Sequence, residues 1–122
     1  MTKRRYDNHS TEFGLWLRGV PEIDSDDGFL ASNLDYIWMN YKTGDWMLIE
    51  EKRYMSKMKR WQKDIFRTLH KASKNDPKYR GFAFIQFEKT SPEDGKTYWN
   101  NKEISRDELV RRLAGFESAY TG

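Results

Sequence analysis

Two carboxylates and an ammonium close one apolar run of this chain. Trp46-Met47-Leu48-Ile49 ends in Glu50-Glu51-Lys52, and a run of that composition reads as a buried strand. Side chains alternate along a strand, so Glu50 and Lys52 share a face with Trp46 and Leu48, and Glu51 points the other way with Met47 and Ile49. Asp35 lies fifteen positions before Glu50, in a second apolar run, Leu34-Asp35-Tyr36-Ile37-Trp38-Met39. Between the runs, Asn40-Tyr41-Lys42-Thr43-Gly44-Asp45 carries the turn residues of a hairpin loop. Such a hairpin sets Asp35 beside Glu50, with Lys52 nearby. Two convergent carboxylates suit a hard divalent cation, and a neighbouring ammonium can act on water or phosphate.

The elements that must position these residues follow from periodicity. Ser10 or Thr11 can cap a short helix over Glu12-Phe13-Gly14-Leu15-Trp16-Leu17-Arg18, stopped by Gly19 and Pro21. Residues 22–33 are acidic and read as a loop or a frayed edge strand. After the hairpin, Met58, Trp61, Ile65, Leu69 and Ala72 recur at helical spacing as one apolar stripe. Gly81-Phe82-Ala83-Phe84-Ile85-Gln86-Phe87 reads as a strand covered on both faces, its phenylalanines core. Ser91 to Gly95 is a turn, and Thr97-Tyr98-Trp99-Asn100 a short strand. Ser105-Arg106-Asp107-Glu108 is a capping box opening a last helix that Gly115 closes. The expected architecture is α/β: one mixed central sheet flanked by helices in a single domain over residues 1–122, with 1–9 as a flexible basic arm.

Composition bounds the class. The chain has 122 residues, long enough to bury roughly two thirds of its unfolded surface. A charged fraction of 34% and a mean hydropathy of −1.00 lean toward disorder, but a 16% aromatic content supplies the area for a core. Charge is segregated: Lys52 to Lys78 holds ten Lys or Arg against Asp64 and Asp76, whereas Glu22 to Asp35 holds acids and no base. A basic block beside an acidic pocket suits a polyanion held by one surface and reacted at another. There is no cysteine, so thiolate chemistry is excluded. No stretch has the length of a membrane span, and a cytoplasmic protein is expected.

Other motifs carry less. Asp76-Pro77-Lys78 and Asp94-Gly95-Lys96 repeat the acid-x-Lys spacing, but in turns. Asp24-Ser25-Asp26-Asp27-Gly28 has its glycine one position early for a calcium loop and lacks the closing Glu. His9 and His70 have no partner at zinc spacing and read as surface histidines.

An acid on one strand followed by (D/E)-x-K on the next resembles the PD-(D/E)XK nuclease superfamily, here as Asp35 and Glu50-Glu51-Lys52. The layout is most similar to archaeal-type Holliday junction resolvases. The resemblance covers residues 10–90, with Leu34 standing where the family name has proline. It implies a restriction-endonuclease-like αβββαβ core and Mg²⁺-dependent hydrolysis of DNA, with Mn²⁺ substituting. Asp35, Glu50 and the Glu51 backbone carbonyl would hold the metal. Lys52 would orient or deprotonate the attacking water or neutralise charge on the phosphate. Glu12, twenty-three residues before Asp35, matches a further metal-site acid on the preceding helix, and Gln62 matches a glutamine found after the lysine in some branches. Lys57, Arg60, Lys63 and Arg67 are the expected phosphate contacts, and a duplex or junction cutter would be a homodimer. Trp99 or Tyr98, if exposed, would add aromatic contact. The alternatives are a module of the same fold that binds nucleic acid without cutting, and a small protein-interaction or inhibitor domain.

Overall fold

The computed structural model describes residues 12–23, 25–28 and 34–116. The chain divides into two compact units, Met1–Asn33 and Leu34–Gly122. In the first, α1 spans Glu12–Gly19, ending at the expected Gly19 stop, and short 3-10 turns cover Pro21–Ile23 and Ser25–Asp27. The Phe13 and Trp16 rings stack at 5.9 Å on the outside of α1. The basic arm, His9 and the Ser10 or Thr11 cap lie outside the described residues.

The second unit is one five-stranded mixed sheet in the order β1-β2-β3-β4-β5. Its strands are β1 (Tyr36–Met39), β2 (Trp46–Lys52), β3 (Tyr79–Phe87), β4 (Thr97–Trp99) and β5 (Lys102–Ile104), with α2 (Arg60–Ser73) between β2 and β3 and α3 (Arg106–Gly115) last. Among the described strands only β2 and β3 pair in parallel, because α2 carries the chain back across the sheet between them. Two strands, β1 and β2, lie between α1 and α2 among the described residues.

The β1–β2 hairpin forms where its turn residues predict. The Asn40 carbonyl accepts from Thr43 and Gly44, its side chain accepts from the Lys42 amide, and Gly44 supplies a φ of +84°. Asp45 then ties the loop to β3 by accepting from Arg80 Nε and Nη2 at 3.0 and 2.6 Å.

Alternation on β2 sorts its residues between two cores. Met47 and Ile49 pack with Ala83, Ile85, Phe87, Trp99 and Leu109 on the α3 face. Leu48 and Trp46 pack with Phe66, Tyr79 and Phe82 on the α2 face. β3 is covered on both faces, as its unbroken apolar sequence predicts. Between Trp46↔Tyr79 and Leu48↔Phe82, β3 carries one residue more than β2. Gly81 sits in that bulge at a φ of +118°, a conformation open to glycine. The bulge sets the register beyond it, in which Glu50 meets Phe84 and Lys52 meets Gln86.

Two expectations need correction, and one left open is settled. The buried side of α2 is Phe66, His70 and Ser73, with Ile65 beside it, whereas Leu69 and Ala72 face out. The stripe is rotated toward Phe66, whose ring packs 5.4 Å from that of Phe82 in the buried cluster. His70 is buried, not superficial: its Nδ1 lies 2.6 Å from the Tyr79 hydroxyl. Trp99 is core, at 2% exposure under the Arg112 guanidinium, which leaves Tyr98 as the partly exposed aromatic of β4.

β5 was not anticipated. Asn100 and Asn101, at φ 49° and 74°, make the two-residue turn that returns β4 along itself. α3 starts as expected, with Ser105 Oγ accepting from the Glu108 amide at 3.0 Å. No helix among the described residues is long and apolar enough to cross a membrane.

Candidate active site

The hairpin register runs Tyr36↔Ile49 to Met39↔Trp46, so the next step outward places Asp35 opposite Glu50, at the end away from the loop. Asp35 is held there by its own side chain: Oδ2 accepts from the Glu51 backbone N–H at 2.9 Å. It remains exposed, while Glu50 is 3% exposed. Glu50 takes its place on the α2 face because alternation puts it two residues beyond Leu48, over Phe84. The same strand that makes a good core therefore carries a carboxyl into it.

Burial of that carboxyl has a cost that the surroundings only partly offset. Oε1 is buried with no hydrogen-bond partner, and Oε2 lies 3.7 Å from Lys52 Nζ. Loss of hydration pushes the Glu50 pKa up to about 8, the neighbouring Asp35 charge adds to the rise, and the Lys52 ammonium opposes it. The Asp35 charge beside the buried Glu50 carboxyl calls for a positive charge near the pair. A divalent cation fits that demand in charge and in donor type, since it would favour the ionised form of Glu50 and give the orphaned oxygen a partner. Among the described residues, no group of three or more His, Cys, Asp or Glu side chains converges on one point. The protein donors at hand are thus Asp35, Glu50 and the peptide of Glu51.

Glu51 is only partly buried and turned to the other face, 3.8 Å from Arg53 Nε. Its charge, partial burial of the ring and a hydrogen bond to Glu51 raise the pKa of the Tyr36 phenol. Beyond Lys52 the chain turns sharply, with Tyr54 and Met55 both at positive φ. Their amides donate to Lys89 and Phe87 carbonyls at 2.9 Å each. That turn carries Ser56 onto the α2 face, where its carbonyl accepts from the Gln86 side chain at 3.0 Å.

The remaining expected residues scatter. Glu12 is the exposed first residue of α1, in the other unit. Gln62 is half-buried at the start of α2, with Oε1 accepting from the Lys59 amide at 3.1 Å, a helix-capping contact. Lys57, Lys63 and Arg67 line one groove on the α2 face, and Arg60 does not. Arg67 also donates to Asp64 at 3.0 Å. Lys71 and Lys74 extend the same line of cations and were not expected as contacts, although the steps of four from Arg67 to Lys71 and three from Lys71 to Lys74 were there to read. Gln86, the residue beside Lys52, was also missed, because a polar residue in an apolar run gives no sign of which face it takes.

Comparison with protein-family models, with curated proteins and with solved structures finds no match. The site stands on its own geometry.

Proposed function

We propose that this protein is a metal-dependent phosphodiesterase acting on nucleic acid, with DNA as its substrate. The observation that carries this reading is the Glu50 carboxyl, buried with an oxygen lacking any donor, between Asp35 and the Lys52 ammonium. A structural carboxylate in that setting would be a liability. As a ligand it has a purpose.

Asp35, Glu50 and the Glu51 carbonyl would hold Mg²⁺ or Mn²⁺, which when bound supplies Lewis acidity toward the phosphoryl oxygen. The chain's own groups do the rest. Lys52 presents an ammonium to the phosphate, orients the attacking water and offsets the charge that builds as the new P–O bond forms and the ester P–O bond breaks. Asp35, exposed beside buried Glu50, faces the side from which substrate arrives. The order hairpin, helix, parallel strand, with both acids at the open end of the hairpin, supports a restriction-endonuclease-like core. Junction-directed cutting by a homodimer in the cytoplasm is the biological form we propose for it. The exposed Ile37 and Met39 on edge strand β1 support association with a second copy.

The test is a cleavage assay on linear duplex, single-stranded and four-way-junction DNA, with Mg²⁺, with Mn²⁺ and with EDTA. Cleavage that needs the cation and is lost in Asp35→Asn and in Lys52→Ala is expected. Salt-dependent binding with no cleavage under any of these conditions would instead assign a module that binds without cutting.

A further inference from the structure

One strand further into the sheet from Glu50 and Lys52, the α2 face opens into a groove of about 1120 Å³. The sheet register aligns two rows of side chains across it. Phe84 pairs with Glu50, and its backbone exchanges hydrogen bonds with Asn100 at 2.8 Å in both directions. Gln86 pairs with Lys52 on one side and with Tyr98 on the other. Neighbouring strands are about 4.8 Å apart, so Phe84 and Gln86, which line the groove, stand one strand from Glu50 and Lys52.

Its two walls differ in kind. On α2 and at its C-cap, Lys63, Arg67, Lys71 and Lys74 face it from successive turns, a cationic line about 16 Å long at the rise of an α-helix. No acidic side chain is among the described residues that line the groove. On the sheet, Phe84 and Tyr98 are only partly buried and present aromatic surface to the open space. A row of cations alone would serve any polyanion. Aromatic rings recessed behind that row serve a polyanion with flat apolar groups free to leave its axis. In a duplex those groups are stacked on one another. In a single strand they are free to stack on a protein ring while the phosphates stay on the cations.

We propose that the groove between α2 and the β3–β4 surface binds an unpaired stretch of polynucleotide, its bases on Phe84 and Tyr98 and its phosphates on the α2 cations. The proposal deepens the phosphodiesterase reading, and rests on it for the fate of the strand: what lies in the groove leads to Glu50 and Lys52. Binding itself requires no metal.

Fluorescence anisotropy of a labelled oligonucleotide in EDTA, with the full chain, tests this apart from catalysis. The single strand is expected to bind roughly tenfold tighter, or more, than the same sequence annealed to its complement. Tyr98→Ala should weaken single-strand binding roughly tenfold, whereas Tyr98→Phe, which keeps the ring, should not. The pair Lys71→Ala and Lys74→Ala, on the helix surface, should lower the slope of log K against log salt by about 1.4. Duplex binding equal to or tighter than single-strand binding would overturn the proposal. So would an unchanged single-strand affinity in Tyr98→Ala with unfolding like wild type. Because no cleavage occurs in EDTA, neither result depends on whether Asp35 and Glu50 hydrolyse anything.

Discussion

Glu50 is a carboxyl whose surroundings prefer it uncharged. Its folded pKa, about 8, lies above its ordinary value of 4.5, so the native state keeps a proton that the unfolded chain releases between those limits. The metal-free protein should therefore lose stability as pH rises from about 4.5 through about 8, at up to about 1.4 kcal/mol per pH unit. Glu50→Gln removes that dependence. Urea midpoints in EDTA at pH 5, 7 and 9 should show the variant gaining on wild type with each step, and parallel pH profiles would contradict the burial that drives the shift. Glu51→Gln should cleave at close to the wild-type rate, because the side chain faces Arg53 and Tyr36 and only its peptide reaches Asp35. Loss of cleavage there with Glu50→Gln active would invert the strand assignment. This pair of residues was legible from alternation alone. What alternation does not report is depth: nothing in the sequence says that Glu50 is buried and Asp35 exposed, because depth depends on α2 and on the bulge at Gly81.

At the scale of elements, the hairpin, α2, β3 and α3 were readable because each has a strong local signal: turn residues, helical spacing, an unbroken apolar run, a capping box. The face of α2 was not. Met58, Trp61, Ile65, Leu69 and Ala72 and the observed Phe66, His70 and Ser73 are offset by about one residue, and both sets satisfy helical spacing. The Phe66–Phe82 contact decides between them, and it is made between α2 and β3. The same contact explains His70, whose partner Tyr79 is brought close only by the α2–β3 return. β5 escaped because three residues, Lys102-Glu103-Ile104, are too few to show a period. Gln62 tests the start of α2. If capping Lys59 is its whole task, Gln62→Ala should lower stability by about 1 kcal/mol and leave turnover at saturating substrate unchanged. A fall in turnover with unchanged melting would put Gln62 in the chemistry instead. Changing Lys63 and Arg67 to Ala should weaken nucleic-acid binding uniformly across sequences, as phosphate contacts do.

For the whole molecule, the edge strand β1 is the open question of assembly. Ile37 at 64% and Met39 at 54% exposure leave an apolar strip at the rim of the sheet. Light scattering on the purified chain should give the mass of two copies, and Ile37→Lys should return it to one. The sequence pointed to a dimer only through the demands of a two-strand cut, since exposure is a property of the assembled sheet. Above assembly stands the proposed cation site at Asp35 and Glu50. A ligand that binds only the native state raises its stability, by about 2.7 kcal/mol at a hundredfold excess over its dissociation constant. Thermal unfolding at pH 8.5 with and without Mn²⁺ reads this directly for wild type and Glu50→Gln. The metal should raise the melting temperature of wild type and leave that of Glu50→Gln where it was. An equal rise in both proteins, or none in wild type, would contradict the site.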